Sequence, residues 1–228
     1  MKLGIIGYGR MGKTVERLAP QYGFSEFVII DNEEDLRMKQ HSLQDCDAAI
    51  DFSTPQSVLS ILSKCFEFQI PVVSGTTGWE ENKEAFIKRL SNKSISFIYG
   101  SNFSIGANIF FKLNAWLSQQ MKMQSQYTVS IEEKHHIHKK DAPSGTALTI
   151  EKVILSQLVS QTVIPVASIR EGEIVGEHIV NYQSEEDTIQ IKHCAHSRDI
   201  FAHGAIKAAV WLKKHPGIYT FEDIFNKF

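Results

Sequence analysis

Residues 133–147 read Glu133-Lys134-His135-His136-Ile137-His138-Lys139-Lys140-Asp141-Ala142-Pro143-Ser144-Gly145-Thr146-Ala147, placing three histidines, three lysines and a helix-start signal in one stretch. Histidine titrates close to neutral pH, so one of these rings can protonate a carbon centre as hydride arrives beside it. Lys139 adds a permanent positive charge. Pro143 and the small residues after it open an apolar helix, so the backbone N–H groups of Gly145 and Thr146, the helix dipole and the Thr146 hydroxyl can together hold a carboxylate. Read instead as a solvated charge run, the segment leaves a glycine near a helix start without a reason, since glycine is a poor helix residue. The chemistry indicated is a general acid beside an anion cradle.

The histidines also invite a metal reading, with His193, Cys194 and His196 as a second cluster. Neither cluster has HExxH or paired CxxC spacing, and adjacent His135 and His136 on an extended segment point to opposite faces. No metal is expected.

A second chemical segment is Gly7-Tyr8-Gly9-Arg10-Met11-Gly12, directly after an apolar run at 2–6. A dinucleotide turn needs glycine where the chain bends, where it meets the pyrophosphate and where the helix packs on the strand, and Gly7, Gly9 and Gly12 supply these. Asp31 follows at a strand end, at about the expected ~20-residue distance, to accept from the ribose hydroxyls. A carboxylate there repels the extra phosphate of NADP, which leans the reading toward NADH. Arg10 can reach a 2′-phosphate, so NADPH stays open. Gly75-Thr76-Thr77-Gly78 sits at the end of a later strand, where small residues let the nicotinamide half approach the backbone.

These groups need a scaffold. Apolar runs at 2–6, 27–30, 48–50, 71–73 and 94–99 alternate with helical segments and predict a parallel, doubly wound, Rossmann-like sheet over the first hundred or so residues. In 105–123 the apolar positions Ile109, Phe110, Leu113, Trp116 and Leu117 predict a buried helix. Tyr127, Val129 and Ile131 then alternate with polar residues, as do Ile189 and Ile191; with strands at 166–171 and 177–182 they predict a second open sheet covered by helices on one face. Residues 205–212 read as helix, and 218–228 as an apolar tail that docks. The fold class expected is α/β, a Rossmann-like nucleotide-binding domain joined to an α+β domain with an open mixed sheet.

Composition narrows the function. The 228 residues are 43% hydrophobic, ample for a core, and carry a formal net charge of −2. No basic field supports a nucleic-acid or membrane partner. Cys46, Cys65 and Cys194 are odd in number and widely spaced, which predicts reduced thiols and a cytoplasmic location. Residues 1–6 are too short and strand-like for a secretory signal, and no apolar run approaches the ~20 residues of a membrane span.

The stretch from His135 to Ala147 resembles, without a gap, the HHxxKxDAPSGTA motif of the 4-hydroxy-tetrahydrodipicolinate (dihydrodipicolinate) reductase family. The resemblance extends over nearly the whole chain, through Gly7–Gly12, Gly75-Thr76-Thr77-Gly78, Ser101-Asn102-Phe103-Ser104 with Gly106 and Asn108, Arg170-Glu171-Gly172, and Ser197, Arg198, Phe201, Ala202 and Gly204. It implies reduction of a cyclic dicarboxylate by NADH or NADPH in lysine and diaminopimelate synthesis. It further implies His135 as proton donor, Lys139 as a second catalytic cation, and His136, Gly145 and Thr146 as substrate-binding groups. The cofactor would be held by residues Gly7 to Gly12, Asp31, Gly75, Thr76, Thr77, Gly100, Ser101, Asn102 and Phe103. The family fold implies a dinucleotide domain of 1–104 and 204–228, a substrate and oligomerisation domain of 105–203, and a homotetramer. The glycine turn is one residue shorter than in many members, and Ile137 stands where several carry arginine. Rival readings are a dehydrogenase for another amino-dicarboxylate, a non-catalytic dinucleotide sensor, and a metal-dependent hydrolase. The gap-free motif opposes the first, retention of His135 and Lys139 opposes the second, and survival of activity in a chelator would exclude the third.

Overall fold

Alternating strands and helices in the first half, and alternating apolar and polar residues in the second, give two sheets of different kinds. In the computed structural model, which describes residues 1–90, 95–158 and 163–228, the elements in chain order are β1 (Lys2–Ile6), α1 (Arg10–Leu18), β2 (Glu26–Ile30), α2 (Glu33–Gln44), β3 (Ala48–Asp51), α3 (Val58–Glu67), β4 (Val72–Ser74), α4 (Glu80–Leu90), β5 (Phe97–Tyr99) and α5 (Ile105–Met121). There follow β6 (Thr128–His135), α6 (Gly145–Leu155), β7 (Val166–Arg170), β8 (Gly176–Gln183), β9 (Thr188–Ala195), α7 (Asp199–Leu212), β10 (Ile218–Thr220) and α8 (Phe221–Ile224). The chain divides into two compact units, residues 1–105 with 199–228, and residues 106–198. Of the strand expected at 94–99, Ser94 lies outside the described residues. No described helix is long and apolar enough to cross a membrane.

The first unit is a six-stranded parallel sheet in the order β10-β5-β4-β3-β1-β2. Leu3, Ile5, Ile6, Ala48, Ala49, Ile50, Val72 and Val73 are all buried, which is why these strands read as continuous apolar runs. Val15 and Leu18 of α1 and the alanine-rich face of α7 cover one side, while Leu43, Leu62, Cys65 and Phe86 cover the other. The tail, expected only to dock, supplies β10, which pairs with β5, and α8, whose Thr220–Asp223 capping box fixes its start. Strand order reverses between β1 and β3, the switch point at which open α/β sheets bind ligands.

The second unit is a mixed four-stranded sheet, β7-β6-β8-β9, with β6 and β7 parallel and the other pairs antiparallel. Val129, Ile131, Val180 and Tyr182 turn one face toward Phe110, Leu117 and Met121 of α5 and Ala147, Ile150 and Ile154 of α6. The buried phase of α5 corrects the expectation. Phe110, Asn114, Leu117, Ser118 and Met121 are inside, whereas Ile109, Leu113 and Trp116 are exposed by 54%, 42% and 57%. Apolar spacing marks two stripes on this helix. The inner one tolerates polar residues because Asn114 donates to the Phe110 carbonyl and Ser118 bonds both the Asn114 carbonyl and the Tyr182 hydroxyl.

Candidate active site

In the first unit the predicted cofactor residues follow the carboxyl ends of β1, β2, β4 and β5. Gly7 has φ +80°, and a Cβ there would overlap the backbone of Phe52; a Cβ on Gly12 would overlap the Gly7 carbonyl. A Cβ on Gly9 would meet nothing within 4 Å, so the turn faces open space at that point. Gly9 is also the N-cap of α1 and offers no capping side chain, so the first-turn amides stay available to an anion. Tyr8 and Met11 pack on the core and contribute backbone, and Arg10 is exposed. Asp31 accepts the Tyr8 N–H at 2.7 Å. A cavity of about 490 Å³ runs past Gly7, Gly9, Asp31, Glu33, Phe52 and Thr54. These features fit the adenosine and pyrophosphate of a dinucleotide.

The Gly75–Thr77 loop is held by Asp51, the last residue of β3, to which the sequence pattern gave no role. Asp51 is wholly buried and accepts from the Ser53 N–H at 3.0 Å, the Ser74 hydroxyl at 2.6 Å and the Thr76 hydroxyl at 2.9 Å. Burial raises its pKa against the pull of those three bonds. Thr77 is exposed, and Gly100 N–H bonds the Ser74 carbonyl. Asn102 accepts the Ser104 N–H. The ring of Phe103 is in the core against Phe52 and Phe221, which leaves its backbone as the part open to a binding role; Ser101 is exposed.

In the second unit the covered face of the sheet changes character along β6. Val129 and Ile131 are apolar, but the next two residues on that face are Glu133 and His135, both buried. The register sets Glu133 between Ser168 of β7 and His178 of β8, and His135 beside Arg170. Glu133 accepts from the Ser144 N–H at 3.0 Å, the Ser168 hydroxyl at 2.8 Å and Arg170 Nη2 at 3.0 Å. Burial pushes its pKa up, but these bonds outweigh burial and hold it below the usual carboxylate range. Burial lowers the His135 pKa, and the charge of Glu133 opposes that shift. His178, edge-on to His135 at 5.0 Å between ring centroids, is pushed down by burial to about 4. It is neutral at pH 7.

Lys139 is gripped by both carboxylate oxygens of Asp141, at 2.9 and 2.8 Å. Arg170 donates to the backbone carbonyls of Lys139 and Asp141, clamping the same loop. Ser144 caps α6 through the Ala147 N–H, worth ~1 kcal/mol for such a cap, and Gly145 stands exposed at the helix start with Thr146 half-buried behind it. Nothing lies within 4 Å of a Cβ built on Gly145, so the cradle is open. His136 lies with Nε2 3.1 Å from Arg198 Nη2, which adds a cation that sequence reading had not given a role. His138 is exposed, 3.7 Å from Glu173, and Cys194 Sγ is 4.0 Å from His196 Nδ1. The donor atoms that do converge, within 4.8 Å, are those of Glu133, His135 and His178. The Arg170 guanidinium on Glu133 makes that set a poor host for a cation.

Two family profiles match the chain end to end, "Dihydrodipicolinate reductase, N-terminus" over residues 1–103 and "Dihydrodipicolinate reductase, C-terminus" over residues 106–225. The chain belongs to the dihydrodipicolinate reductase family. A 4-hydroxy-tetrahydrodipicolinate reductase of Christiangramia forsetii is 39% identical over 99% of this chain and 98% of its own, and one of Thermosipho africanus is 35% identical over 100% and 99%. The fold matches a dipicolinate-bound dihydrodipicolinate reductase from Paenisporosarcina sp. TG-14 with a TM-score of 0.77, at 21% identity over 98% of this chain and 99% of that one. The family resemblance read from 135–147 is thereby borne out, as are the Rossmann-like first sheet and the mixed second one. Members of the dihydrodipicolinate reductase family carry a nicotinamide-dinucleotide domain, and the turn, cap and cavity at β1–α1 are built for one.

Proposed function

We infer that this chain reduces 4-hydroxy-tetrahydrodipicolinate to tetrahydrodipicolinate in lysine and diaminopimelate synthesis, using NADH in preference to NADPH. The carrying observation is the end of β6, where a buried histidine adjoins a lysine-bearing loop and an open helix N-terminus. Loss of water from the hydroxylated ring leaves a conjugated system, and the reduction needs a hydride at one carbon and a proton at the next. Bound nicotinamide supplies the hydride. His135 holds the proton. Lys139, Arg198 with His136, and the amides of Gly145 and Thr146 are suited to the two carboxylates of the ring.

The glycine turn from Gly7 to Gly12 would hold the pyrophosphate and Asp31 the ribose, with the Gly75–Thr77 and Gly100–Phe103 loops for the nicotinamide half. Asp31 and Glu33 both line the cavity, a negative edge that disfavours a 2′-phosphate. We assign dinucleotide binding to the first unit, whose return begins with the whole of α7 at Asp199 and not at 204, and substrate binding and assembly to the second unit, 106–198. The uncovered sheet face, with Glu132, Lys134, Glu177 and Lys192 in ion pairs, suits a homotetramer, which light scattering on the purified chain would read directly. The unpaired thiols of Cys46, Cys65 and Cys194 fit a cytoplasmic setting.

The direct test follows NADH and NADPH absorbance with enzymatically generated 4-hydroxy-tetrahydrodipicolinate. Rapid substrate-dependent loss, faster with NADH, is expected. No oxidation by a chain that binds NADH would refute the activity.

A further inference from the structure

The proton donor has a neighbour that the proposed chemistry leaves unused. Glu133 is wholly buried and charged, next but one to His135 on the same face of β6. Its Oε2 lies 3.4 Å from His135 Nδ1, off the line that a hydrogen bond needs, and Nδ1 is sealed from solvent without another partner. The opposite edge of the ring is treated differently. A Cβ on Gly176 would stand 3.2 Å from Nε2, so the glycine keeps that edge uncrowded. The carboxylate also reaches past the ring. It receives the Ser144 N–H at the start of α6 and the Arg170 guanidinium, which itself grips the Lys139 and Asp141 carbonyls.

We propose that Glu133 is a positioning residue for the reduction: it fixes His135 with Nδ1 inward and Nε2 as the proton-donating edge, and anchors the carboxylate-binding helix start and the lysine loop to that ring. A buried anion facing Nδ1 favours a proton on that nitrogen in the neutral ring, so the second proton, the one to be delivered, resides on Nε2. The arrangement parallels the carboxylate that orients a catalytic histidine in hydrolases, here with four strands and loops tied to one carboxylate instead of one ring alone. Other charges reach His135 as well. Lys139 and Arg170 disfavour its protonated form, Asp141 favours it, and His178 is packed edge-on against the ring. Glu133, 3.4 Å from Nδ1, acts most strongly of these charges, and its loss removes the larger of the two carboxylate contributions that support the protonated ring. The cluster's alternative use, as a metal site, is opposed by Arg170 at 3.0 Å from the same carboxylate.

The proposal rests on His135 as proton donor, and the test separates the two. Histidine-labelled full-length protein is titrated by nitrogen NMR, with the His135 signals assigned by their loss in His135→Gln. In the wild type the neutral ring should carry its proton on Nδ1; a neutral ring protonated on Nε2 overturns the proposal without any variant. In Glu133→Gln, which keeps the side-chain shape, the His135 pKa should fall by about one unit. The alkaline limb of kcat should move down by the same amount, since an acid with a lower pKa is lost at lower pH, while the NADH Kd stays unchanged. Glu133→Asp should restore most of both. A His135 titration unaltered in Glu133→Gln refutes positioning. A moved titration with an unmoved kcat profile keeps positioning and refutes His135 as the donor, and activity lost to a chelator in the wild type would replace the proposal with a metal role.

Discussion

At the end of β1 the proposed binding surface is backbone, and at the end of β6 it is side chain. In the proposed dinucleotide turn Gly7, Gly9 and Gly12 lack side chains, Gly7 and Gly9 line the cavity, and α1 starts uncapped after Gly9. Asp31, beside the turn on the cavity wall, is already tied to the Tyr8 N–H. The histidine cluster works because Glu133 and His135 on β6, Ser168 and Arg170 on β7, and His178 on β8 meet on one covered face. An anion surface made of amides needs no titration and depends on local geometry. A proton-delivering surface needs a group whose charge changes, and such a group must be balanced by others brought from far along the chain. The two regions should therefore fail in different ways.

The largest expected effect is on proton delivery. His135→Ala should lower kcat by about 10²- to 10⁴-fold, the usual worth of a general acid, with the NADH Kd unchanged because the ring and the glycine turn belong to different compact units. Steady-state rates with a parallel fluorescence titration of NADH decide this. Turnover within threefold of wild type would break the division of labour.

Gly7→Ala tests the backbone-built side. The left-handed φ of +80° alone costs roughly 1–2 kcal/mol for a residue with a Cβ, and overlap with Phe52 adds to it. NADH Kd should rise about tenfold or more while the His135 titration stays where it was. A variant that binds NADH normally would mean that the turn is a fold element only.

The contrast in materials also explains what the sequence made legible. The glycine turn, Asp31 and the helix start at Gly145 are local patterns, each read from a few neighbouring residues, and the structure has a strand-to-helix turn at Gly7, a strand end before Asp31 and a helix start at Gly145. Glu133 opens the 133–147 stretch without a role of its own there, and His178 lies far from it; the two meet because β6 and β8 pair antiparallel in one register. The signal was nevertheless present. The alternation read over Val129 and Ile131, continued two more steps, puts Glu133 and His135 on the covered face, where a carboxylate needs partners. The α5 phase differs from the expectation for a related reason: which of two apolar stripes is buried depends on the sheet that it meets, and Ser118 gains a partner across the core only where the Tyr182 hydroxyl is there to bond.

A pH prediction sharpens the side-chain half of the comparison. His178 has an ordinary value of 6.5 and about 4 in the folded chain, with burial the main cause. Between those values the unfolded chain binds the extra proton and the folded one does not, so stability is full above pH 6.5 and falls as pH drops toward 4. His135 and His193 are lowered as well and act in the same direction. The urea midpoint should therefore fall between pH 7 and pH 5, and His178→Gln should shrink that fall. An equal fall in both proteins would place the acid sensitivity outside the cluster.

The smallest effect concerns Asp31, a side chain at the edge of the backbone-built site. Asp31→Ala removes a carboxylate that can accept from the ribose hydroxyls, a net loss of ~0.5–1.5 kcal/mol, or about threefold to tenfold in NADH Kd. It removes at the same time a negative charge that a 2′-phosphate would meet, so NADPH should lose nothing or gain. Glu33 stays on the cavity wall and limits that gain, and Asp35 is held by Lys39 at 2.6 Å and contributes less field than its position suggests. The ratio of the two Kd values, measured on wild type and variant under one buffer, carries the argument. A ratio that shifts toward NADPH makes Asp31 the determinant of cofactor choice on a surface otherwise indifferent to it. An equal loss for both cofactors would show instead that Asp31 serves the turn through its bond to the Tyr8 amide, and that cofactor choice is set by Glu33 and the α2 start.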